Sequence, residues 1–125
     1  MPRPRAPTPA LVLMLVILSL LAGCSRTDVA GSKRTLHIAL NEYRLNPASA
    51  RVLAGVLTIY VRNFGRLTHN LVISQSRQTI AATEPVRPGQ SAVLAVNLAP
   101  GTYSMASTIL SDASLGESGT LEVTP

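Results

Sequence analysis

Residues 57–73 read Leu-Thr-Ile-Tyr-Val-Arg-Asn-Phe-Gly-Arg-Leu-Thr-His-Asn-Leu-Val-Ile. Leu57, Ile59 and Val61 alternate with Thr58, Tyr60 and Arg62. A period of two over so short a run predicts a half-buried strand. Asn63-Phe64-Gly65 then reads as a turn, and Leu71 and Ile73 continue the alternation from His69. The same grammar extends in both directions. Leu36, Ile38 and Leu40 alternate with His37, Ala39 and Asn41, and Leu94, Val96 and Leu98 with Val93, Ala95 and Asn97. Tyr103, Met105 and Ser107 share one face, and Leu121 and Val123 close the chain. Asn46-Pro47, Pro88-Gly89 and Pro100-Gly101 supply further breaks. No amphipathic helix of useful length follows Cys24, and no repeat is present. Short strands at near-regular spacing, punctuated by Gly and Pro, predict an all-β sandwich or barrel over residues 34–125, long enough for one domain.

The residues before this domain have a different character. Arg3 and Arg5 precede an apolar run from Leu11 to Leu18, continued by Leu20, Leu21 and Ala22, which meets Gly23 and Cys24. A basic start, a short apolar middle and small residues before a cut site describe a secretory signal over residues 1–23. The run falls short of the ~20 apolar residues of a spanning helix. Leu21-Ala22-Gly23-Cys24 resembles the lipobox of bacterial lipoproteins. That resemblance implies a cut before Cys24, acylation of its sulfur, and a mature protein held outside the cytoplasm on a membrane. Residues 24–33, small and polar, read as a tether.

The chain carries +5, spread along the sequence, with no Trp, one Phe and three Tyr. Nucleic-acid binding calls for a clustered basic face interleaved with aromatics, so that class is set aside. A glycine-rich phosphate loop, a zinc-protease motif and a Cys-x-x-Cys pair are all missing from the sequence.

Three segments carry a second resemblance. Asn63 to Leu71 resembles the cupredoxin segment in which a strand ends at Asn-x-Gly and a copper-binding histidine follows, often as His-Asn. Gly101 to Leu121 is similar to the ending in which Gly-Thr-Tyr leads to the copper cysteine, a histidine and a methionine, and then Gly-Thr-Leu. Ile38 to Pro47 resembles the opening strand. The resemblance implies a Greek-key β-sandwich. It places His69 at the first histidine position, Ser107 at the cysteine, Asp112 at the second histidine and Glu117 at the methionine.

Blue copper needs two imidazoles and a thiolate. The single cysteine is Cys24, in the lipobox, and the second histidine, His37, is expected to face solvent because Leu36 and Ile38 face the core. The electron-transfer role of the family is therefore disfavoured. Three other readings stand. In the leading one the domain is a non-enzymatic binding or accessory module without a cofactor. His69 is then a satisfied histidine and Asp112 and Glu117 are exposed loop acids, with membrane lipid and an envelope protein as partners. In the second, His69, Asp112 and Glu117 form a remodelled site for a divalent ion such as Zn²⁺, Mn²⁺, Fe²⁺ or Cu²⁺. The third, a Ser107–His69–Asp112 nucleophile, is the weakest, because no nucleophile-elbow turn surrounds Ser107.

Overall fold

The computed structural model describes residues 28–29 and 34–125. The leader 1–23, Cys24 and most of the tether lie outside the described residues. The ten strands are β1 (Asp28–Val29), β2 (Thr35–Asn41), β3 (Arg44–Asn46), β4 (Ser49–Leu53), β5 (Gly55–Asn63), β6 (Val72–Gln75), β7 (Gln78–Ala82), β8 (Ser91–Leu98), β9 (Gly101–Ala106) and β10 (Ser118–Thr124). There is no helix among the described residues.

Two sheets form, with strand orders β1-β4-β10-β9-β6-β7 and β3-β2-β5-β8. The inward residues are those the alternation assigns. Leu57, Ile59 and Val61 of β5 lie beside Leu36, Ile38 and Leu40 of β2 and Val96 and Leu98 of β8 on the inner face of one sheet, and the opposite sheet adds Ile73, Tyr103, Met105, Leu121 and Val123. The alternate residues His37, Tyr60 and Val93 are exposed, and the His37 ring stacks on Tyr60 at 5.1 Å on the outer face. Burying a full apolar stripe on each sheet is what holds such a sandwich together, at roughly 1.5–3 kcal/mol per large side chain.

The register decides which loops meet. β2 and β5 run parallel and finish together at Asn41 and Asn63. β9 is antiparallel to both β10 and β6, so it finishes where they begin. β4 runs parallel to β10 and begins near that end, and β1 runs parallel to β4 from a start level with the middle of β10. The loops after β2, β5 and β9 thus gather at one end of the sandwich. Two details differ from the sequence expectation. β1 lies within the stretch read as tether, pairing Asp28 with Ala50. Ser107 stands just beyond β9 rather than inside a strand.

Candidate metal centre

His69 is held by backbone on both sides. Its N–H donates to the Val86 carbonyl at 3.1 Å and its carbonyl accepts from the Val86 N–H at 2.7 Å. Beneath it, buried Asn63 ties the loop shut: Nδ2 donates to the carbonyls of Leu67 (2.7 Å) and Val86 (2.8 Å), and Oδ1 accepts from the Gly65 N–H (2.8 Å). Asn70, just before β6, ties to the start of the loop after the neighbouring β9: its Oδ1 accepts from the Thr108 N–H at 2.7 Å and its own N–H donates to Ser107 Oγ at 3.3 Å. These two asparagines explain why the Asn-Phe-Gly and His-Asn pairs sit where they do.

The loop 107–117 closes on itself. The Ser107 N–H donates to the Glu117 carbonyl (3.1 Å), and the Asp112 carbonyl accepts from the N–H groups of Leu115 (3.2 Å) and Glu117 (2.9 Å). Gly116 allows the return. It has φ +114°, and a Cβ there would stand 3.0 Å from the Tyr43 carbonyl oxygen. The loop therefore turns both of its acids inward.

His69, Asp112 and Glu117 consequently converge, and one donor atom from each lies within 4.8 Å of the others. Nδ1 of His69 is 2.9 Å from Asp112 Oδ2 and 2.8 Å from Glu117 Oε2. Ser107 Oγ donates to Asp112 Oδ2 at 2.7 Å. The residues are 0% (His69), 0% (Ser107), 5% (Asp112) and 0% (Glu117) exposed. Asp112 and Glu117 are thus not the exposed loop acids of the leading sequence reading, because the loop return carries them under its own backbone. Nor is His69 satisfied. Its Nε2 has no hydrogen-bond partner, and neither do the two carboxylate oxygens of Glu117.

The electrostatics follow from that burial. Desolvation pushes the Glu117 carboxyl up to about 7; His69 opposes the rise, while Asp112 and Glu42 add to it. The Tyr43 N–H lies near enough to lower it slightly but not in hydrogen-bond geometry. Glu42 is a residue the sequence reading did not single out for the site. Its Oε1 accepts from the N–H groups of Arg66 and Leu67 and lies 3.7 Å from His69 Nε2. Those backbone donors hold its carboxyl below the usual carboxylate range. Glu42-Tyr43 follows directly on β2, so both contacts come from the tight turn into β3. Only the long-range pairing of β2 with β5 brings Glu42 to His69, and no local pattern marks it.

The pattern of the cupredoxin-like domain matches residues 11–117. The chain belongs to the cupredoxin-like family. No curated protein sequence matches it. Among solved structures, this cupredoxin is similar to the dithionite-reduced auracyanin of the photosynthetic bacterium Roseiflexus castenholzii, at 24% identity over 76% of this chain and 100% of that one, with TM-score 0.68. It is similar to auracyanin A, a "blue" copper protein of Chloroflexus aurantiacus, at 18% identity over 72% and 98%, with TM-score 0.64. An azurin of Methylomonas sp. strain J aligns at 14% identity over 73% and 98%, with TM-score 0.65. At these identities the likeness shows the fold.

The residues present do not fit blue copper. The converging donors are one imidazole, two carboxylates and a hydroxyl, with no sulfur, and a serine hydroxyl is too hard and too weak an acid to replace a thiolate. They do suit a harder divalent ion. One imidazole and two carboxylates, each with a donor atom within 4.8 Å of the others, are the nitrogen and oxygen ligands such ions take.

Proposed function

We propose that this protein is a lipid-anchored cupredoxin outside the cytoplasm whose ancestral copper position serves as a binding site for a divalent ion of the zinc, manganese or ferrous kind. It is a binding or accessory protein and not a blue-copper electron carrier. The observation that carries the reading is the Glu117 carboxylate, fully buried, 2.8 Å from His69 Nδ1 and without a hydrogen bond to either oxygen. A buried carboxylate without a hydrogen bond is unfavourable by several kcal/mol unless it is protonated or paired with a cation. An ion held by His69, Asp112 and Glu117 would answer that need, and would supply charge and a fixed coordination geometry. An ion on Nδ1 would require the ring proton on Nε2, the side on which Glu42 Oε1 stands 3.7 Å away.

The anchor half of the reading is supported by Leu21-Ala22-Gly23-Cys24 at the end of the apolar run, and by Cys24 being the single cysteine. Acyl chains on one residue anchor a domain without a spanning helix.

Each half has its own test. Calorimetric titration of the chelator-treated protein with Zn²⁺ or Mn²⁺ is expected to show one saturable site that Asp112→Ala with Glu117→Ala removes. Unchanged affinity in that double variant would mean these acids are not ligands. For the anchor, Cys24→Ser is expected to move the chain from the membrane fraction to the soluble one. Retention of the variant in membranes would contradict lipidation.

A further inference from the structure

Resting on the lipid-anchor reading above, we propose that the end of the sandwich carrying the metal centre lies on the bilayer surface. The exposed loop side chains Leu110, Leu115, Leu67, Phe64 and Tyr43 then sit at the lipid–water boundary. Two independent observations meet here.

The first is direction. β1 runs parallel to β4 and β10, so the chain enters it from the side where the loop 107–117 closes over His69, with Asp28 level with Ala50 and, through it, with Leu121 halfway along β10. Three residues, Ser25, Arg26 and Thr27, separate Cys24 from Asp28. Four steps of extended chain span at most ~14 Å. An acylated Cys24 is therefore held within about 14 Å of a β1 start that the chain enters from the metal-centre side.

The second is the distribution of exposed apolar side chains. Ten large apolar residues are exposed among the described residues. Five of them, Leu53, Val56, Tyr60, Ile80 and Val93, lie within strands. The other five are Tyr43, Phe64, Leu67, Leu110 and Leu115, and every one is in a loop at the metal-centre end. Leu110 is 93% exposed, at φ +52°, on the tip of the 107–117 loop. Apolar residues on loop tips partition into the interfacial zone of a membrane, where a tyrosine ring also settles. Arg44, Arg66 and Arg87 are exposed in or beside the loops of this end, with Glu84 exposed and Glu42 part-exposed among them. Cations in this position favour anionic headgroups.

The chain contains no tryptophan, so one introduced indole reports without background. The test uses the full chain, exported and acylated in a bacterial host and reconstituted into vesicles of phosphatidylethanolamine and phosphatidylglycerol with brominated acyl chains. Leu110→Trp marks the metal-centre end. Ala99→Trp, in the exposed turn between β8 and β9, marks the opposite end. The expected result is blue-shifted, strongly quenched emission from Leu110→Trp and unquenched emission from Ala99→Trp. Membrane-bound protein with neither indole quenched, or with Ala99→Trp the more quenched, would overturn the docking and leave the anchor intact. A chain that stays soluble, with an unmodified Cys24 by mass, would sink the anchor reading and the docking with it.

Discussion

At Glu117 two opposing demands meet on one carboxylate. Burial raises its ionisation to about 7, while the neighbouring His69 and the geometry around it favour a charged group facing a cation. In the metal-free protein the sign of the pH dependence follows directly. Unfolded, the carboxyl titrates near 4.5; folded, near 7. The folded state therefore binds more protons between those values, and stability from this group is complete below about 4.5 and lost as pH rises through 7. Chelator-treated protein is expected to be more resistant to urea at pH 5 than at pH 8. Glu117→Gln is expected to flatten that difference and to abolish binding of the ion. If the variant keeps the full pH dependence, the buried carboxyl is not its source. Asn63 makes a second residue-level case. Asn63→Ala takes their side-chain partner from the Leu67 carbonyl and the Gly65 N–H, and leaves the Val86 carbonyl with the His69 N–H alone, with a stability loss of about 2–4 kcal/mol in denaturant melts. A loss under 1 kcal/mol would show that water replaces it.

At the scale of elements, the long alternating strands were legible, while β1, β3, β4, β7 and the course of the 107–117 loop were not. Side-chain alternation is a local property of a strand, so β2, β5, β8, β9 and β10 and their inward residues follow from the sequence, as does the outward His37. β1 is two residues long and has no period to read. The burial of Asp112 and Glu117 depends on the backbone return between Ser107 and Glu117, and on Gly116 fitting under the Tyr43 carbonyl. Neither contact leaves a pattern in neighbouring residues, and acids in a turn-rich loop resemble ordinary solvated ones. The family resemblance places these acids at ligand positions but is silent on their burial. Gly119 illustrates the same closeness at the start of β10. A Cβ there would collide with the Ala48 carbonyl oxygen, which also accepts the Thr120 N–H at 2.8 Å. Gly119→Ala is expected to destabilise the fold by about 1–3 kcal/mol, read as a lowered urea midpoint. An unchanged midpoint would mean that the corner between β3 and β4 yields without strain.

For the whole molecule, the cupredoxin scaffold carries a cluster of donors without sulfur. The sequence resemblance puts Ser107, Asp112 and Glu117 at the positions of a thiolate, an imidazole and a thioether, and in the structure they converge with His69. If that correspondence holds, Ser107→Cys, Asp112→His and Glu117→Met together should restore the intense visible colour of a copper–thiolate centre on adding Cu²⁺, and the natural chain should show none. A folded triple variant that binds Cu²⁺ without colour would mean that the loop 107–117 no longer supports the ancestral geometry. The central claim, a divalent ion at His69, Asp112 and Glu117, is tested most directly by thermal unfolding of metal-stripped protein starting at Ser25, alone and with Zn²⁺, Mn²⁺ or anaerobic Fe²⁺ at about 100 μM. A site with dissociation constant near 1 μM adds roughly 2.7 kcal/mol, several degrees for a domain of this size. The expected result is a rise of that order with at least one ion, abolished by His69→Ala. A melting temperature unmoved by every ion, or a rise that survives His69→Ala, would contradict the claim.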